Sequence, residues 1–128
     1  MAKPGIQLVL PDKKATALGV MIFKVFDRLG ISAAVERNTL AYAETGPKVI
    51  AMLTVGRGDA AIAEYSDAYK NRDNVDLMMI DPALNVIEGI PCAVLTCSTQ
   101  KETAADFQEF MIKEGPAVFA KYGFKTRL

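Results

Sequence analysis

The chain has 128 residues, 51% of them hydrophobic, with 15 basic and 15 acidic side chains, no net charge and no histidine. That is one domain's length of chain with enough apolar content to bury a core of its own, and the balanced charge argues against a nucleic-acid protein, which would show a basic face or stripe. No apolar run reaches the roughly 18 residues of a membrane span, and Met1-Ala2-Lys3-Pro4-Gly5 lacks the apolar region of a signal peptide.

In chain order, Ile6 to Leu10 (IQLVL) reads as a strand. The turn PDKKAT then leads into a helix whose apolar positions are Leu18, Ile22, Val25, Phe26 and Leu29, stopped by Gly30. Ile31 to Val35 (ISAAV) reads as a second strand, and ERNTLAYAE as a connection. Thr45 and Gly46-Pro47 open a second helix, which Gly56 ends, because proline suits a first helical turn and glycine a C-terminus. DAAIAEY, ending in Glu64 and Tyr65, reads as the third strand and Val75 to Ile80 (VDLMMI) as the fourth; Asp81 to Gly89 is a connection. IPCAVLTCS is a further strand, Thr99-Gln100-Lys101-Glu102 a capping box for a helix with Ala104, Phe107 and Met111 inward, and Glu114-Gly115-Pro116 the start of a last helix closed by Gly123. Alternating strands and helices predict an α/β fold with three αβα layers around a mostly parallel sheet.

In such sheets ligands gather at the carboxyl ends of the strands. Three segments meet there: Asp12 to Gly19, Glu44 to Val49 and Glu64 to Asp67. A helix N-terminus offers unpaired N–H groups and a positive dipole end, so two aimed at one point suit a small oxyanion without arginine or lysine. The absence of histidine removes the usual zinc spacings and imidazole acid–base chemistry. Cys92 and Cys97, five apart on a strand, would face opposite ways and are expected to be buried, unbridged thiols.

The stretches LVLPDKKATALG, VGRGDAAIAEYSDA and IPCAVLTCSTQKETAADFQEFMIKEGPAVFAKYGF resemble the second half of the molybdate/tungstate-binding proteins of ABC importers. Those proteins carry a GDP-x-x-x-P-A-G turn after a strand, a G-x-A-D-A-G-x-x-Y-x-S-D-A strand and a tail ending in K-Y-G-F. The resemblance implies one lobe of a type II periplasmic-binding-protein fold across residues 1–128. It also implies that residues 90–128 form a return segment reaching toward a first lobe, with molybdate or tungstate as ligand and no enzyme activity. Asp12 matches the turn aspartate and Gly19 the glycine of PAG. Thr16, Ala17, Leu18, Thr45 and Gly46 then fall where the ligand is held, with the backbone N–H groups of Leu18 and Gly46 as donors. Asp67 matches the aspartate of SDA, whose simplest role is to cap the helix that follows.

Glu64 departs from the pattern, standing where the resemblance places a ligand-binding tyrosine, with Tyr65 one place later. A carboxylate about 4 Å from an oxyanion repels it by roughly 4 kcal/mol at an effective dielectric near 20. Glu64 is therefore protonated on binding, or coordinates the metal centre of the oxyanion, or yields to the Tyr65 hydroxyl, or lies at a surface that no longer binds molybdate. The first lobe, with its hydroxyl ligands, is also missing from these 128 residues. Helix-terminus donors at roughly 0.3 to 2 kcal/mol each leave a lone lobe no better than about millimolar affinity.

The expected partners are a small oxyanion, an ABC permease or a separate first lobe, and a second copy. The apolar residues Val94, Phe107, Phe110, Met111 and Phe119 predict a homodimer if nothing else covers them. The resemblance implies a periplasmic location, against which stands the missing signal peptide. That leaves a second reading, a cytosolic ligand-sensing or protein-interaction domain of the same fold, like the effector domains of LysR-type regulators. Arg57-Gly58-Asp59 is turn chemistry, Met78-Met79 strand core, and Asp12, Glu64 and Asp67 lack the nucleophile or phosphate loop of an enzyme.

Overall fold

A computed structural model of the chain describes residues 1–86, 89 and 91–124. The chain divides into two compact units, Met1–Val86 and Ile87–Leu128.

The first unit is built on a parallel sheet of three strands in the order β2-β1-β3: β1 Leu8–Pro11, β2 Thr39–Ala43 and β3 Ala60–Ala61. All four residues of β1 are buried, as befits a central strand. Its alternation divides the core. Leu8 and Leu10 pack with Ile22, Phe23, Val25 and Phe26 of helix α1 (Ala17–Arg28) and with Val35 of α2 (Ser32–Asn38). On the opposite face, Val9 packs with Ala43 and with Val49 of α3 (Gly46–Thr54). Helices on both faces of a parallel sheet make the three-layer αβα lobe that the alternating pattern predicts. Each fully buried Leu or Val side chain contributes roughly 1.5–3 kcal/mol. Gly30 (φ 68) and Gly56 (φ 75) end α1 and α3 in the left-handed region, which glycine enters without a Cβ penalty.

Several elements differ from expectation. Residues 31–35 are not a strand: α2 takes Ser32–Asn38, because Ala33, Ala34, Glu36 and Arg37 favour a helix and Val35 finds the core from one. The strand falls at Thr39–Ala43 instead, on the Thr-Leu-Ala-Tyr-Ala alternation of β2 that had read as a connection. The third strand shrinks to Ala60–Ala61, and a short helix α4, Tyr65–Lys70, follows it. Glu64 and Tyr65 therefore stand at a helix start instead of on opposite faces of a strand.

Residues 75–80 form no strand either. A strand needs a ladder partner, and two-residue β3 offers almost none; Met78 is 93% exposed instead of buried.

In the second unit, Ile90 of the expected strand lies outside the described residues and residues 91–98 are not a strand; both cysteines are exposed where buried thiols were expected, since no sheet among the described residues covers them. Helix α5 runs unbroken over Lys101–Lys121, so Glu114-Gly115-Pro116 lies inside it and does not begin another. Pro116 removes one N–H from that ladder. The N-cap is Gln100 without a side-chain cap bond, so the Thr99–Glu102 box is not made. Instead, Ser98 Oγ accepts from the Gln100 N–H at 3.1 Å. Gly123 (φ 81) ends the helix as expected. Phe107, Phe110, Val118 and Phe119 are exposed along α5.

Candidate functional site

Because the three strands are parallel, their carboxyl ends lie at one edge. Leu10 pairs with Tyr42 and Pro11 with Ala43, the Asp12 N–H donates to the Ala43 carbonyl at 2.9 Å, and Val9 pairs with Ala61. The chain leaves each strand into a helix there: α1 after β1, α3 after β2, α4 after β3. With strand order β2-β1-β3, successive connections from β1 and β2 pass on opposite faces, the topology at which open α/β sheets hold their ligands. Thr16, Ala17, Leu18, Gly19, Thr45, Gly46, Glu64 and Tyr65 all stand at these three helix starts.

The β1–α1 turn is tightly built. Asp12 Oδ1 accepts from the N–H groups of Lys14 (2.6 Å) and Ala15 (2.9 Å), while the Asp12 carbonyl accepts from the Thr16 N–H (3.0 Å) and from Thr16 Oγ1 (2.9 Å). The two amide donors, Lys14 first, hold the Asp12 carboxyl below its ordinary value. Asp12 thus closes the loop. Thr16, as N-cap, accepts from the Gly19 N–H at 2.8 Å. Gly19 is the residue this turn demands: a Cβ there would run into the carbonyl oxygen of Asp12 and lie 2.8 Å from Thr16 Oγ1. Val20 N–H goes to the Thr16 carbonyl, which leaves the N–H groups of Ala17 and Leu18 without an acceptor among the described residues.

At α3, Thr45 Oγ1 accepts from the Lys48 N–H at 3.4 Å and the Thr45 carbonyl from the Val49 N–H at 3.1 Å. Pro47 has no N–H. The amide of Gly46, like that of Leu18, makes no hydrogen bond among the described residues, but the α3 start already has a carboxylate beside it.

Gly46 also lacks room for a side chain, because the Asp67 carboxylate of α4 packs against its Cα. Asp67 therefore sits beside the α3 start instead of capping α4, whose N-cap is Glu64. Carboxylate next to a helix N-terminus is a favourable arrangement.

Glu64 is exposed; its carbonyl accepts from the Asp67 and Ala68 N–H groups, both at 3.1 Å, and its side chain caps nothing. The Tyr65 ring stacks on Tyr69 of the same helix, centroids 5.6 Å apart, and so lies along α4. Sequence reasoning passed over one cation of the site, Lys48, whose Nζ pairs with Glu44 Oε2 at 2.8 Å across one turn. That partner holds the Glu44 carboxyl below its ordinary value. An i,i+4 spacing of Glu44 and Lys48 was the available signal. Among the described residues no group of three or more acidic or sulfur ligands is placed to hold a metal ion, and no helix is long and apolar enough to cross a membrane.

Residues 1–125 match the family model described as bacterial extracellular solute-binding protein. A protein of Haemophilus influenzae named "Putative binding protein" is 30% identical over 125 residues, which cover 97% of this chain and 51% of that relative. The chain thus spans about half the length of the curated relative it matches. No solved structure matches it.

Proposed function

The chain belongs to the bacterial extracellular solute-binding proteins, and on that premise we propose that it is an oxyanion-binding lobe of an ABC import system, with a molybdate- or tungstate-like anion as solute. One observation carries the reading: the unpaired N–H groups of Ala17, Leu18 and Gly46 stand at two helix starts on one edge of the sheet. Amides so placed bind negative charge of small size, and no cationic side chain is needed. Thr16 and Thr45 hold the two starts in shape. The third start brings Glu64, exposed and without a side-chain partner among the described residues, so its negative charge opposes the anion; Tyr65, stacked on Tyr69, is the less suited donor.

A closed site takes a second lobe, consistent with a relative about twice as long. The exposed phenyl rings of α5, in the return segment 90–128, are the surface that lobe would cover. An extracytoplasmic location and an ABC permease partner go with this reading. Titration calorimetry of the wild type and of Glu64→Gln with millimolar molybdate, tungstate, sulfate and phosphate tests it. The wild type should bind one oxyanion at about millimolar Kd, and removing the charge should tighten binding about tenfold. Absence of heat with both proteins overturns the reading.

A further inference from the structure

Ser66 is a buried polar side chain that the protein itself leaves without a partner. It lies in the first turn of α4, is 5% exposed, and its hydroxyl makes no hydrogen bond among the described residues. Every other serine or threonine hydroxyl in residues 1–86 makes one: Thr16, Thr39 and Thr54 donate to the carbonyls of Asp12, Val35 and Ala51, Ser32 donates to the Asp27 carboxylate, and Thr45 accepts from the Lys48 N–H. Those five are all more exposed than Ser66. Buried hydroxyls are paired as a rule, because an unpaired one forgoes its bonds to water.

The Ser66 oxygen is nevertheless open. Among the described residues that are not exposed, no side-chain oxygen or nitrogen is both sealed from solvent and unpaired, so the little surface that Ser66 keeps includes Oγ. α4 packs most closely against α3, which makes the buried side of α4, with Ser66 in it, the side toward α3. The neighbouring side chain shows where that side leads: the Asp67 carboxylate lies against Gly46, the first residue of α3. An open hydroxyl and the unpaired Gly46 amide thus belong to one helix start.

We propose that Ser66 is a ligand-binding residue, whose Oγ–H donates to an oxygen of the oxyanion that the Gly46 amide meets at the start of α3. This rests on the anion reading above and adds a residue to it. The chemistry of the start explains why a hydroxyl is suited there. An anion at Gly46 lies near the Asp67 carboxylate, whose charge opposes it, so one amide needs further donors close by to hold it. A serine hydroxyl supplies a donor whose hydrogen turns to meet the acceptor. An oxyanion offers several oxygens, so one can take the amide and another the hydroxyl. A structural role for Ser66 would need a partner in the protein, and none of the described residues supplies one.

The test compares the whole chain with its Ser66→Ala variant, by thermal unfolding without anion and by amide-resolved NMR titration with molybdate, tungstate, sulfate and phosphate in turn. Without anion the variant should unfold at the wild-type temperature or above it, because it gives up no bond within the protein. With the anion that the wild type binds, the Kd read at the Gly46 amide should rise about tenfold in the variant, the loss of one hydrogen bond to a charged group. An unchanged Kd in Ser66→Ala overturns the proposal and leaves the anion reading standing. A variant that unfolds below the wild type also overturns it, since the hydroxyl then has a structural partner. A wild type that none of the four anions shifts overturns the proposal and the anion reading together.

Discussion

Gly19→Ala sets two opposite effects against each other at the β1–α1 turn. Alanine in place of glycine at a helical position is worth about 1 kcal/mol of stabilisation by propensity alone. Here the new Cβ meets the Asp12 carbonyl oxygen, lies 2.6 Å from its carbon and 2.8 Å from Thr16 Oγ1. Two of those atoms are backbone and cannot rotate away. They are also fixed from behind: the Asp12 carbonyl accepts from Thr16 and the Asp12 N–H donates to Ala43 in β2. Relief therefore costs an overpacking strain of about 1–3 kcal/mol, and the shift lengthens the Thr16–Gly19 cap bond, worth typically about 1 kcal/mol. The clash wins, with a net destabilisation of about 1–3 kcal/mol. Urea unfolding followed by far-UV circular dichroism measures it. A variant as stable as wild type, or more stable, refutes the close approach on which the placement of the Ala17 and Leu18 amides rests.

Phe26, 3% exposed and edge-on to Phe23 with centroids 5.5 Å apart, should lose about 3–5 kcal/mol on truncation to alanine, read in the same urea series. The Asp12 carboxyl is lowered from its ordinary 3.8 by the Lys14 and Ala15 amides, so its contribution is complete above that value and is lost as pH falls through the lower folded value. The stability gap between wild type and Asp12→Ala should accordingly stay constant from neutral pH to about 4 and close in stronger acid, as thermal unfolding across pH will show. Cys92 and Cys97, both exposed, should react with a thiol reagent in the native protein as fast as in urea; protection of either thiol would mean that residues 91–98 are covered.

The sequence was most legible where local chemistry and tertiary packing agree. The apolar spacing of α1, the Thr16 and Thr45 caps and the glycine stops at Gly30 and Gly56 state their own positions, so the two helix starts of the site could be placed from them. Short strands were harder. ISAAV and TLAYA are both apolar and short, and only the contest for the place beside β1 assigns the helix to one and the strand to the other. VDLMMI and IPCAVLTCS have strand composition, but a strand exists only in a ladder, and among the described residues no neighbour pairs with residues 75–80 or 91–98. The role of Asp67 was hidden for a related reason: its contact with Gly46 joins residues 21 positions apart, which no spacing rule covers.

The central claim is that the helix starts after β1 and β2 form an anion site, and amide-resolved NMR titration of the whole chain with molybdate tests it most directly. The account predicts saturable shifts concentrated at Ala17, Leu18 and Gly46, with smaller ones at Glu64 and Tyr65. Amides at those positions that stay still at millimolar anion, or shifts centred on α5, would contradict it.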